Sequence, residues 1–168
     1  MHNNYRITVT IDQSSLRRSQ RLRPTLLREV VRQAVRHQGM QGSFEVNIIV
    51  TTDEKIRAFN RQYRDVDAPT DVLSFPILDG ETLPVECQSG HILLGDIVIS
   101  RDTALRQAQE DEVSLEQMVA WLLSHGMLHL MGVNHDTEEM RQAMNESEKA
   151  ILTSLGIPSR VAKLYNLQ

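Results

Sequence analysis

An α+β fold, built on a four-stranded mixed sheet packed with about five helices, is predicted by three features of the sequence. Residues 5 to 11 alternate apolar and polar side chains, the period of a half-buried strand. Residues 24 to 38 repeat their apolar side chains at helical spacing. Met118 to Met131 is apolar on nearly every side, the mark of a buried helix. The periodicities leave the direction of each strand open. With 168 residues, 40% of them hydrophobic, the chain is long enough to bury a core as one domain over residues 1 to 168.

The elements follow in chain order. Tyr5, Ile7, Val9 and Ile11 alternate with Arg6, Thr8 and Thr10 to give the first strand. From Pro24 to Gln38, Leu27, Val30, Val31, Ala34 and Val35 share one helix face, arginines take the other, and Gly39 stands in the stop position. Phe44 to Val50 reads as a second strand. Thr51 and Glu54 then have the spacing of a capping box, opening a helix with Ile56, Phe59 and Tyr63 on its buried side. Asp71 to Pro76 is a short third strand that ends where proline would interrupt the ladder, and His91 to Ser100 a fourth. The intervening Leu78 to Gly90 has the composition of a flexible connection. Ser114 with Gln117 caps the apolar helix, and Asp136 with Glu139 opens a last one, with Met140, Met144, Ile151 and Leu155 facing inward before Gly156 and Pro158 stop it.

Composition narrows the setting. Cys87 is the only cysteine, so no intrachain disulfide is possible, and the first residues lack a signal-peptide layout, which predicts a cytoplasmic protein. No apolar stretch reaches the eighteen or so residues of a membrane span, so no membrane partner is expected. The net charge of −4 conceals an asymmetry: residues 1 to 64 carry twelve Lys or Arg against five Asp or Glu, the remainder six against seventeen. A basic first third suits an anionic partner, with phosphate the commonest polymeric anion. A solvated arginine-rich helix is the plainer reading of Arg17 to Arg36, and the sequence weights the two evenly.

The chemistry concentrates in H-G-M-L-H-L-M-G-V-N-H. His125 and His129 lie four residues apart on one helix face, with Cβ atoms about 5 to 6 Å apart, a gap that one metal ion can bridge. Gly132 can take the left-handed conformation that ends a helix and turns His135 back toward the same ion. Three nitrogen ligands leave a fourth position open, as in a catalytic site and unlike a closed structural one, so one zinc-type ion per chain is expected. His2, His37 and His91 have no such spacing and read as ordinary histidines. The string also matches the extended metzincin pattern H-E-x-x-H-x-x-G-x-x-H. Gly126, however, stands where those proteases place their glutamate base, so a zincin-like metal helix is expected without the proteolytic base.

The sequence resembles the YbeY-type endoribonucleases of ribosomal RNA maturation. The histidine string carries the resemblance, together with Asn60 to Arg64, Pro69 to Pro76, Leu94 to Ser100 and Leu155 to Pro158. The arginine-rich first third carries no motif of the family. Val133 and Asn134 depart from the Tyr-Asp usual before the third histidine, which leaves Asn134 or nearby Asp136 to orient a ligand. The resemblance implies a zinc-dependent, single-strand-specific endoribonuclease. It would act on ribosomal RNA or the small ribosomal subunit, in late processing of the 16S 3′ end and in ribosome quality control, with ribosome-assembly proteins as further partners. It implies that Arg64 is the catalytic arginine; an ion pair with Asp65 or Asp67 is the plainer role for that side chain. Arg57 and Arg61 are expected to hold the RNA backbone without reading bases. The competing readings are a metalloprotease-like hydrolase, opposed by Gly126, and a non-catalytic assembly factor with a structural metal.

Overall fold

The computed structural model describes residues 5 to 78 and 86 to 158, with the backbone alone for 86 to 90. Its sheet has the order β1-β2-β4-β3, from β1 (Tyr5–Asp12), β2 (Gln41–Thr51), β3 (Val72–Pro76) and β4 (Glu86–Ser100). β1 and β4 run parallel to β2, while β3 is antiparallel to β4, so the sheet is mixed as expected. The helices are α1 (Pro24–His37), α2 (Asp53–Arg64), α3 (Arg101–Glu110), α4 (Leu115–Leu130) and α5 (Glu138–Ser154). α3 and the 3-10 turn at Arg18–Gln20 are elements the periodicities do not single out. Residues 79 to 85 of the expected connection, and His2, lie outside the described residues.

Alternation along β4 separates two cores. Ile97 and Ile99 join the main one beneath α1 and α4, with Phe44, Leu122 and Met127 among its fully buried members. Val98 points to the other face, where it meets Ile56 of α2 and Leu73 of β3. α4 is enclosed by α1, α3, α5, β3 and β4. That explains a helix whose apolar residues show no preferred side: each side has a neighbour. Its capping box forms as expected, Ser114 Oγ accepting from Gln117 N and Gln117 Oε1 from Ser114 N.

Two other expected caps are displaced by one residue. Thr51 is the buried end of β2, bonded to the Ser15 hydroxyl, and Thr52 occupies the cap of α2. Thr137, not Asp136, caps α5, accepting from Met140 N. Two residues assigned inward also emerge outward. Tyr63 is 58% exposed and Met140 45%, because each lies in a terminal turn of its helix, beyond the edge of what it packs on. Gly95 is fixed by the sheet. It has φ +141°, and a Cβ there would stand 2.1 Å from the carbonyl oxygen of Phe75.

Candidate metal centre

Helix α4 presents His125 and His129 on one face, with ring centroids 4.6 Å apart. Gly132 takes φ +84° immediately after the helix. The backbone N–H of Val133 donates to Leu128 O across this turn, and the chain reverses to bring His135 within 5.0 Å of the His129 ring. One ligand nitrogen from each of the three rings lies within 4.8 Å of the others. The local sequence therefore builds the convergence: helical spacing aligns the first pair, and a left-handed glycine returns the third.

The tautomer of His125 is set from α5. Glu148, 1% exposed, has one carboxylate oxygen 2.7 Å from His125 Nδ1 and accepts at the other from Trp121 Nε1 at 3.1 Å. A carboxylate only accepts, so the proton sits on Nδ1 and the lone pair on Nε2. That Nε2 faces His129 Nε2 at 3.1 Å. Two nitrogens bound at about 2.0 to 2.1 Å to one tetrahedral ion stand about 3.3 Å apart, so the spacing fits a shared zinc-type ion with little movement. Burial, reinforced by His125, His135 and Arg64, pushes His129 down to about 4 and keeps it a free base at neutral pH. The donor set and its protonation both suit a divalent cation. The group that orients a ligand is neither Asn134 nor Asp136 but the carboxylate of Glu148, with Trp121 as its second donor, a pair that local spacing in the sequence does not mark.

Two clefts meet at the histidines. One, of about 980 Å³, runs along β3 and is lined by Arg64, Ser74, Phe75, His129 and His135 among others. The second, of about 920 Å³, opens toward α5 beside Trp121, Arg141 and Glu148. His125, His135 and Asp71 border both. Arg64 reaches the first cleft from the last turn of α2, donating from its guanidinium to the Ser74 carbonyl at 3.3 Å. Asp67, one of its expected partners, is instead held by both guanidinium bonds of Arg57, at 2.8 and 3.0 Å. Arg61 is exposed on the same helix. The basic first third is partly neutralised, with Arg23 paired to Glu116 and Arg32 to Glu29. His91 is bonded to Ser43 and Glu45, away from the triad.

Gly126 has a packing reason to be glycine. A Cβ would stand 3.1 Å from both Ile97 Cγ2 and Ser74 Oγ, so any larger side chain there would have to push these neighbours back by a few tenths of an ångström. Among the described residues, no helix is long and apolar enough to cross a membrane.

The family model of the endoribonuclease YbeY matches residues 8 to 156. Among curated proteins the chain is similar to the endoribonuclease YbeY of Desulforamulus reducens, 41% identical over 155 residues that cover 92% of this chain and 95% of the relative. It is likewise similar to that of Heliobacterium modesticaldum, 46% identical over 117 residues, covering 67% and 70%. Among solved structures it resembles the solution structure of TM1509 from Thermotoga maritima with a TM-score of 0.55, at 24% identity over 93% of this chain and 95% of the other. At that identity the likeness speaks for the fold alone. The family match takes in the arginine-rich segment from residue 8 as well as the histidine helix, and on that extent the chain belongs to the YbeY endoribonuclease family.

Proposed function

We propose that the chain is a zinc-dependent endoribonuclease, a single domain over residues 1 to 168, that cuts single-stranded RNA during ribosomal RNA maturation in the cytoplasm. Its substrate would be ribosomal RNA or the small ribosomal subunit, at the 16S 3′ end and in ribosome quality control, with assembly proteins as possible partners. The observation that carries this reading is the cleft along β3, where three converging histidines face the exposed guanidinium of Arg64. His125, His129 and His135 would hold the ion, which supplies Lewis-acid charge stabilisation and acidifies a water.

The chain's own groups do the rest. Glu148 keeps the proton on His125 Nδ1 and fixes the ring. Arg64 has one long bond to a carbonyl, which a phosphodiester can displace, and its planar fork matches two phosphate oxygens. It would bind the scissile phosphate and offset the charge gained as phosphorus is attacked. Arg57 and Arg61 would hold the flanking backbone, Arg57 after exchanging Asp67 for a phosphate. A protease is disfavoured because Gly126 offers no carboxylate base where metzincins place their glutamate.

The test is metal analysis of the pure protein with a cleavage assay on single-stranded and duplex RNA. One ion per chain and cleavage lost in His129→Ala are expected. Metal-bound protein that binds RNA and leaves it whole would favour an assembly factor with a structural metal.

A further inference from the structure

Tyr63, Val66, Ile77 and Met140 are the large apolar side chains left exposed among the described residues, and Tyr63 is the most exposed of them. Its ring is nonetheless held. Phe59, one turn earlier on α2, lies nearly parallel to it, at 6.3 Å between centroids and 16° between planes. Phe75 of β3 meets it edge-on at 5.2 Å and 62°. Phe59 and Phe75 are themselves packed on the small core of Ile56, Leu73 and Val98. A rigid aromatic ring is thus braced from below and open to solvent above.

Its position gives the exposure a use. Phe75, the edge partner, lines the cleft that contains His129, His135 and Arg64. Tyr63 directly precedes Arg64 in the last turn of α2, and exposed Arg61 lies on the same helix. An aromatic face beside guanidinium groups matches the two parts of a single-stranded nucleotide, a flat base and a charged phosphate. A base within a duplex stays stacked on its neighbours and cannot cover the ring.

Resting on the endoribonuclease reading, we propose that Tyr63, braced by Phe59 and Phe75, is a stacking subsite for one unpaired nucleobase of the RNA whose phosphate Arg64 holds. The subsite lies away from the reacting atoms. It should govern binding and the preference for single strands while leaving the chemical step to Arg64 and the histidines.

The test uses the zinc-loaded full chain and a short single-stranded RNA, with the same sequence as a duplex for comparison. Tyr63→Leu keeps an apolar side chain and removes the π face, and Tyr63→Phe keeps the ring. One stacked base corresponds to a loss of affinity of about fivefold to a hundredfold. Tyr63→Leu is therefore expected to raise Kd and KM by that factor, with kcat nearly unchanged and discrimination against the duplex reduced. Tyr63→Phe should behave as the parent. In Tyr63→Trp, the new indole should be quenched by intact RNA and not by an oligonucleotide of abasic sites. If the parent binds and cuts RNA and Tyr63→Leu does so equally well, the subsite is refuted while the nuclease reading stands. Equal losses in Tyr63→Leu and Tyr63→Phe would refute it in favour of the hydroxyl. A parent that neither binds nor cuts RNA overturns both proposals.

Discussion

Glu148→Gln isolates the control that α5 exerts on the histidine triad. The change is nearly isosteric at a side chain that is 1% exposed, so packing around it should survive. Its chemistry does not. Glu148 accepts from two donors, His125 Nδ1–H and Trp121 Nε1–H, and an amide has one oxygen to offer. Indole nitrogen can only donate, so the amide oxygen goes to Trp121 and the amide NH2 turns to His125. His125 must then accept at Nδ1 and carry its proton on Nε2, the atom that faces His129 at 3.1 Å. Ligation requires paying to move that proton, and loss of such an outer partner typically weakens metal binding about 10 to 100-fold, or about 1.4 to 2.7 kcal/mol. Competition with a chromophoric chelator measures this directly. The expected result is that drop in zinc affinity with the metal-free melting temperature within a few degrees of the parent. Unchanged affinity would refute the tautomer argument. A collapse of the metal-free protein would show Glu148 to be chiefly a stability element.

Four further outcomes are expected. His129→Ala should reduce bound metal from about one ion per chain to nearly none by elemental analysis, and full occupancy would reject the ligand set. The metal-free protein should lose stability as pH falls from 6.5 toward 4. Over that range the unfolded chain binds a proton at residue 129 that the folded chain excludes, whereas above it neither form does. Comparing melting temperatures of parent and His129→Ala across that window isolates the effect, and parallel curves would rule it out. Gly95→Ala should destabilise by about 3 kcal/mol or more in a urea titration, since its Cβ meets a backbone carbonyl that no rotamer can clear. RNA affinity should fall steeply with salt if the arginines of α1 and α2 hold phosphates, and a flat response would remove them from the interface.

The fold was legible wherever a period had a single cause. Alternation in β1 and helical spacing in α1 each report one buried face, and both elements end within a residue of expectation. Errors fall where the period outruns the neighbour it packs on. Ile56, Phe59 and Tyr63 share a helix face, yet burial fades along it from complete at Ile56 to slight at Tyr63. Periodicity registers which face turns inward and nothing of where the neighbour ends, whether the sheet beneath α2 or the helices α1 and α4 beside α5. Tyr63 and Met140 fail for that one reason, and the exposed tyrosine is thereby the more informative of the two.

The convergence of His125, His129 and His135 was readable because their spacing is local: four residues along a helix, then a glycine turn. Glu148 acts on His125 across 23 positions of chain, a relation no local pattern encodes. Its own helix still marks it. Met144, Ile151 and Leu155 step along one face of α5, and Glu148 occupies the turn between them where the same period calls for an apolar side chain. A buried carboxylate without a partner costs several kcal/mol, so a glutamate in that register implies donors facing it. The enclosing helix α4 offers two, Trp121 and His125, one turn apart on the side that meets α5. The polar exception to an apolar period was the available signal, and it points to the same cluster as the histidine spacing does.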